Sequence, residues 1–247
     1  MKPGFLTVLI VALLVTGCSS SAKRFGSESA HRQAETQVRL GMGYMQKGDL
    51  DIALGKLQSA VETADDYAPA HNALAILYTR LGRVKAADKH YKKAVKVAVD
   101  DGAVHNNYGA FLCDQARYDE AHSHFVKAAE QLLYKTPDLA YENAGLCAMR
   151  EGDLDRAETA FRNALKMNPE LTVSLLNMAD LALKNERYLQ GRAYIQRYET
   201  VASHSAATLW LAIKVEQGLN DEAQVKRYSD KLRSRFPGSE QAGQLTE

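Results

Sequence analysis

NAGLCAMREGDLDRAETAFRNALK, residues 143–166, carries the pattern that decides the fold. On both sides of Gly152-Asp153, small and apolar residues return at i, i+3, i+4 and i+7. That is the period of an amphipathic helix. A glycine at the break suits a helix C-terminus, where a left-handed residue closes the last turn. The stretch therefore predicts two antiparallel helices joined by a tight turn. RLGMGYMQKGDLDIALGKLQSAVE (39–62) and NYGAFLCDQARYDEAHSHFVKAAE (107–130) repeat it in register.

Working outward, three columns of small residues move together along the chain. They are Gly41, Ala75, Gly109, Gly145, Ala179; then Ala53, Ala87, Ala121, Ala157, Gly191; then Ala60, Ala94, Ala128, Ala164, Tyr198. Each column steps by 34, 34, 36 and 34 residues. A fourth column is large: Leu57, Tyr91, Phe125, Phe161, Ile195. Small residues let two helices approach closely, and the large ones fill the space beside them. One such hairpin leaves a face bare, so neighbouring units must stack.

These residues resemble the tetratricopeptide repeat. Gly41, Tyr44, Ala53, Leu57 and Ala60 fall on the family's pattern in the first unit, and Gly145, Ala157, Phe161, Ala164 and Pro169 do so in the fourth. The resemblance implies an all-α superhelix over residues 34–238, with units at 34–67, 68–101, 102–135, 138–171 and 172–205. A degenerate sixth unit, 205–238, caps the array with Trp210 expected in its core, and 239–247 form a tail. Thr136-Pro137 is a two-residue insertion, where a change of curvature is expected.

Upstream, residues 1–17 read as a secretory leader. Lys2 gives a positive start, and Phe5 to Val15 is an apolar run of 11 residues, too short to span a bilayer. Val15-Thr16-Gly17-Cys18 resembles the bacterial lipobox. The resemblance implies cleavage between Gly17 and Cys18, acylation of Cys18, and a lipid anchor in the membrane. The competing reading is an ordinary signal-peptidase site beside an unmodified cysteine. Ser19 resembles the outer-membrane-sorted class of such lipoproteins, which implies the periplasmic face of the outer membrane. Residues 18–33 are Ser-rich and read as a flexible tether.

Charge excludes one class of partner. The 31 basic residues face 30 acidic ones, and losing Lys2 with the leader makes the balance 30 to 30. A neutral chain offers no electrostatic case for nucleic acid. No zinc-protease, nucleophile-elbow, phosphate-loop or paired-cysteine motif is present, so no enzyme, cofactor, metal or small-molecule substrate is expected. His122 and His124 are two apart on a helix and point to different faces, and the other five histidines look scattered. Cys113 and Cys147 sit in an oxidising compartment, which permits a disulfide. Helix axes pack 8–10 Å apart and a disulfide needs Cα atoms within about 7 Å, which favours two free, buried thiols.

In the repeat family the first helix of each unit lines a concave groove. Carried over residue by residue, the groove comprises Val38, Met42, Met45 and Gln46; Asn72, Ile76, Thr79 and Arg80; and Asn106, Ala110, Cys113 and Asp114. It continues with Leu139, Glu142, Leu146, Met149 and Arg150, then Leu176, Asp180, Leu183 and Lys184. The basic and amide clamp that chaperone-binding members use for a terminal carboxylate is missing. The strip is rich in Met, Leu and Ile, which suits a protein partner; the bland reading is that these side chains meet one another. Lipobox, Ser-rich segment and six repeats together are similar to the type IV pilus biogenesis lipoproteins of the PilF/PilW family. Repeat one and the N-N-Y-G-A-F-L-C stretch at 106–113 carry that likeness most. It implies a pilotin that binds the pilus secretin and promotes its outer-membrane localisation and multimerisation. A scaffold for β-barrel assembly and an adaptor for peptidoglycan enzymes are the alternatives.

Overall fold

The computed structural model describes residues 18–245, with side chains from Ser27 onward. The leader read at 1–17, Gly17 included, and the Cys18 side chain lie outside the described residues. The chain forms two compact units, Met1–Val97 and Ala98–Glu247. The first holds α1 (Cys18–Lys47), α2 (Leu50–Thr63), α3 (Ala68–Arg80) and α4 (Val84–Val97). The second holds α5 (Gly102–Asp114), α6 (Tyr118–Glu130), α7 (Pro137–Glu151), α8 (Leu154–Met167), α9 (Thr172–Lys184), α10 (Tyr188–Val201), α11 (Ala206–Gly218), α12 (Glu222–Arg235) and α13 (Glu240–Gly243). The described residues contain no strand. The all-α tetratricopeptide architecture expected from the sequence is the one observed.

The columns explain the packing. Ala53, Ala87, Ala121 and Ala157 are fully buried, as are Ala60, Ala94, Ala128 and Ala164. A Cβ on Gly41 would fall 2.6 Å from Leu57, one on Gly109 2.9 Å from Phe125, and one on Gly145 2.6 Å from Phe161. Glycine thus sits where the large residue of the same unit presses on the opposite helix. Leu57, Phe125 and Phe161 are almost wholly buried there. Within a unit the hairpins are α1–α2, α3–α4, α5–α6, α7–α8, α9–α10 and α11–α12. First helices also touch first helices: α1 with α3, and α5, α7, α9 and α11 in series.

Every first helix ends in the same closure. An amide from the following loop reaches back five residues: Asp49 to Tyr44, Arg83 to Tyr78, Arg117 to Leu112, Asp153 to Ala148, Arg187 to Ala182 and Asp221 to Glu216, at 2.8–3.1 Å. That bond requires a left-handed residue just before the donor. Gly48, Gly82 and Gly152 supply it with φ of 88°, 69° and 89°. Ala116, Glu186 and Asn220 take φ of 56° at the same place. The turn is therefore set by tertiary packing even where its residue is unsuited.

Two expectations change. Residues 18–33, read as a tether, continue α1 as helix. They hold no proline and one glycine, and several good helix formers. The helix propagates backward from a packed part, because Ala34 is fully buried and Ala30 packs on the cluster of Ala60, Ala64 and Ala70. Trp210, expected in the core, is only half-buried beside the cluster of Leu209, Ile213 and Leu232, with Lys214 Nζ 4.5 Å from its ring centre. Pro137 of the insertion becomes the first residue of α7, where a missing N–H costs no hydrogen bond.

Candidate partner-binding face

In each unit taken by itself, the face to consider is the row of first helices: α1 and α3 in the first, α5, α7 and α9 in the second. Its polar members are largely engaged with each other. Asn143 Nδ2 donates to Asn106 Oδ1 at 3.0 Å, joining α5 to α7. Arg150 Nη1 donates to Asp114 Oδ1 at 2.7 Å. Glu142 accepts from the Ser174 N–H at 3.0 Å and from its hydroxyl at 2.7 Å. Since Leu171 gives α9 no side-chain cap, Glu142 does so from the neighbouring helix. In the first unit Arg80 Nη1 donates to the Met45 carbonyl at 2.7 Å.

The apolar members are the ones left partly open. Val38, Met42 and Ile76 are half-buried in the first unit, with Val38 against the Ala34–Ala60 cluster. Leu146, Met149 and Leu176 are half-buried in the second and converge on one cluster that includes Phe161, Leu175 and Met178. Asn72 and Asn106 are half-buried. Met45 is 7% exposed and belongs to the core, whereas Leu139 is 40% exposed. The structure thus joins the three α7–α9 residues into one apolar strip. It joins Val38, Met42 and Ile76 only as neighbours along the α1–α3 pair.

The cysteines correct the sequence reading. Cys113 of α5 and Cys147 of α7 form a disulfide, with Cα atoms 5.9 Å apart, so neither is a free thiol. Axis separation was the wrong yardstick. Cα atoms lie about 2.3 Å off the axis, so facing Cα atoms of helices 8–10 Å apart come within roughly 3.5–5.5 Å. Both sulfurs belong to buried residues, 4% exposed. The disulfide, the Asn106–Asn143 bond and the Arg150–Asp114 pair fix α5 to α7 along the face.

Sequence reading also missed a histidine device. His71 and His90 face each other at 3.0 Å between Nδ1 atoms, and His105 and His124 do so at 2.8 Å. Both members recur with the 34-residue step, which was the available signal. His71 Nε2 lies 3.0 Å from the Asp65 carbonyl, and His105 Nε2 3.0 Å from that of Val99. A carbonyl only accepts, so Nε2 carries the proton and the neutral Nδ1 accepts from the partner imidazole. Burial, then the neighbouring His71 and Lys89, lower the pKa of His90 to about 4. Burial, then His105 and Lys127, do the same to His124.

Elsewhere the titratable groups are structural. Glu216, 2% exposed, accepts from Arg192 through both oxygens, and Arg192 also donates to Asp221 at 2.8 Å. Among the described residues, no group of three or more metal-ligating side chains is assembled. No described helix is long and apolar enough to cross a membrane.

Stacked helical hairpins with a partly open apolar row define a tetratricopeptide-repeat scaffold. Residues 38–103 match the tetratricopeptide-repeat family model. Residues 129–229 match the middle TPR-like domain of cilia and flagella-associated protein 70. The chain is 30% identical over 235 residues to the type IV pilus assembly protein PilF of Pseudomonas aeruginosa, covering 94% of this chain and 93% of that one. A solved structure of Pseudomonas aeruginosa PilF superposes with a TM-score of 0.75 at 29% identity, over 88% of this chain and 98% of that one. A crystal structure of PilW, a widely conserved type IV pilus biogenesis factor, shares the fold with a TM-score of 0.71 at 24% identity, over 87% of this chain and 98% of that one. The chain belongs to the PilF family of type IV pilus assembly proteins.

Proposed function

We propose that this chain serves type IV pilus biogenesis as a pilotin. It is lipid-anchored through Cys18 at the periplasmic face of the outer membrane, and it binds the pilus secretin through its first-helix face. Binding brings the secretin to that membrane and promotes its multimerisation. The observation that carries the reading is the near end-to-end likeness to PilF, 94% of one chain against 93% of the other. The half-open apolar row is its physical counterpart. An apolar secretin segment laid on Leu146, Met149 and Leu176 would lose solvent-exposed surface, at about 25 cal/mol per Å². The disulfide fixes α7, which carries Leu146 and Met149, to α5 before the partner arrives, which lowers the ordering cost of binding. The role is that of a non-enzymatic scaffold: it positions another protein and transforms nothing.

The test is envelope fractionation of a strain lacking the protein. Secretin monomers stranded away from the outer membrane, restored by the wild-type chain and poorly by Cys18→Ser, are expected. Normal outer-membrane multimers in the deletion overturn the proposal.

A further inference from the structure

Four turns that pass from a second helix to the next first helix share one construction. An amide bonds the carbonyl three residues back: Tyr67 to Ala64, Asp101 to Ala98, Tyr134 to Gln131 and Leu171 to Asn168. The corners between them are Asp65–Asp66, Val99–Asp100, Leu132–Leu133 and Pro169–Glu170. Three corners carry a carboxylate. The other presents two leucines, 96% and 91% exposed, followed by Lys135. This turn is anchored: Tyr134 packs on the cluster of Ala128, Ala129 and Ala140, and lies over Gly102 so closely that a Cβ there would be 2.5 Å away. The fold therefore holds two leucines in water at a fixed point, on a turn whose equivalents take a carboxylate.

The surroundings say what covers them. Val99 and Met167, 61% and 50% exposed, sit at the same inter-repeat end of the second unit. We propose that Leu132–Leu133 is a membrane foot that dips into the lipid–water interface. A projecting corner of two side chains lacks the roughly 800 Å² per partner of a stable protein interface. A bilayer asks for no shape complementarity, and Lys135 on a turn without a carboxylate complements anionic headgroups. Two leucines give a weak, reversible attachment of their own, which a vesicle assay at high lipid concentration reads. The proposal goes beyond the pilotin reading and requires neither secretin binding nor acylation.

The chain from residue 18 onward with Cys18→Ser, which keeps every described helix and bears no acyl group, is sedimented with vesicles. One set contains phosphatidylglycerol and phosphatidylethanolamine, another phosphatidylcholine alone. Binding to the anionic set is expected, falling about tenfold in Leu132→Ser/Leu133→Ser at unchanged melting temperature. A Leu133→Trp variant should be quenched by brominated lipid, and Lys135→Glu should weaken binding. Equal partition of wild type and double variant overturns the proposal. So does leucine-dependent self-association without vesicles, or loss of a protein partner by the double variant with partition unchanged.

Discussion

Repeats two and three differ from repeats five and six at one equivalent pair of positions. Where the former place His71 with His90 and His105 with His124, the latter place Leu175 with Tyr194 and Leu209 with Tyr228. Both fillings bury the contact between first and second helix: His71 and His105 are 3% exposed, Leu209 0% and Tyr228 2%. One is a proton-sharing imidazole pair and the other a greasy contact. The later repeats put their charge elsewhere, in Arg192, Glu216 and Asp221. The same scaffold position therefore tolerates either chemistry, and only the imidazole version answers to mild acid.

The largest expected effect breaks the later repeats. Glu216→Ala leaves Arg192 beside a buried hole and should cost about 3–5 kcal/mol, read from a denaturant midpoint. Next comes the disulfide beside repeat three. Cys113→Ala/Cys147→Ala, or reduction, removes a cross-link spanning 34 residues and should cost about 3 kcal/mol in the same assay.

The third prediction sharpens the comparison itself. A free imidazole titrates near 6.5, whereas folded His90 and His124 titrate near 4. Between those values the unfolded chain binds more protons, so stability is full above pH 6.5 and falls as pH drops toward 4. Both rings are half-buried, so about 1–2 kcal/mol per pair is expected. Glu158 and Glu199 are held below their ordinary 4.5. For Glu158 the hydrogen bond from Arg187 is the main cause; for Glu199 burial opposes, and His204, Lys231 and Arg227 outweigh it. Their contribution is lost only below pH 4.5. Amide protection factors, which are corrected for the intrinsic slowing of exchange in acid, should therefore fall in α3–α6 as pH drops from 6.5 to 4.5 while those of α9–α12 hold. Replacing both pairs, His71→Leu/His90→Tyr and His105→Leu/His124→Tyr, should flatten that slope. The smallest effect is Ala116→Gly, which relieves a left-handed alanine and should raise stability by about 1 kcal/mol.

Much of the fold was legible because packing repeats. Gly41, Gly109 and Gly145 each face their large partner 16 residues on, so a single column revealed the geometry of every hairpin. The helix from Cys18 was not legible, since composition alone does not show what a packed turn will propagate. On the candidate face, sequence placed the apolar row but not the pairing of its polar members. That Glu142 caps α9 depends on where α7 lies, which no local pattern encodes. The disulfide was missed by confusing axis distance with Cα distance. The histidine pairs share the 34-residue step, but helix packing does not demand an imidazole at those positions, as Leu175 with Tyr194 shows, so size and polarity alone do not mark them.

The proposed pilotin role requires an apolar segment of the secretin to lie on a first-helix face. The most direct test is titration of purified secretin domains against the chain and against Met42→Ser, Ile76→Ser and Leu146→Ser, each first shown to melt as a folded helical protein. At least one substitution is expected to raise Kd about tenfold or more while the helical signal is kept. Unchanged Kd for all three folded variants would contradict it.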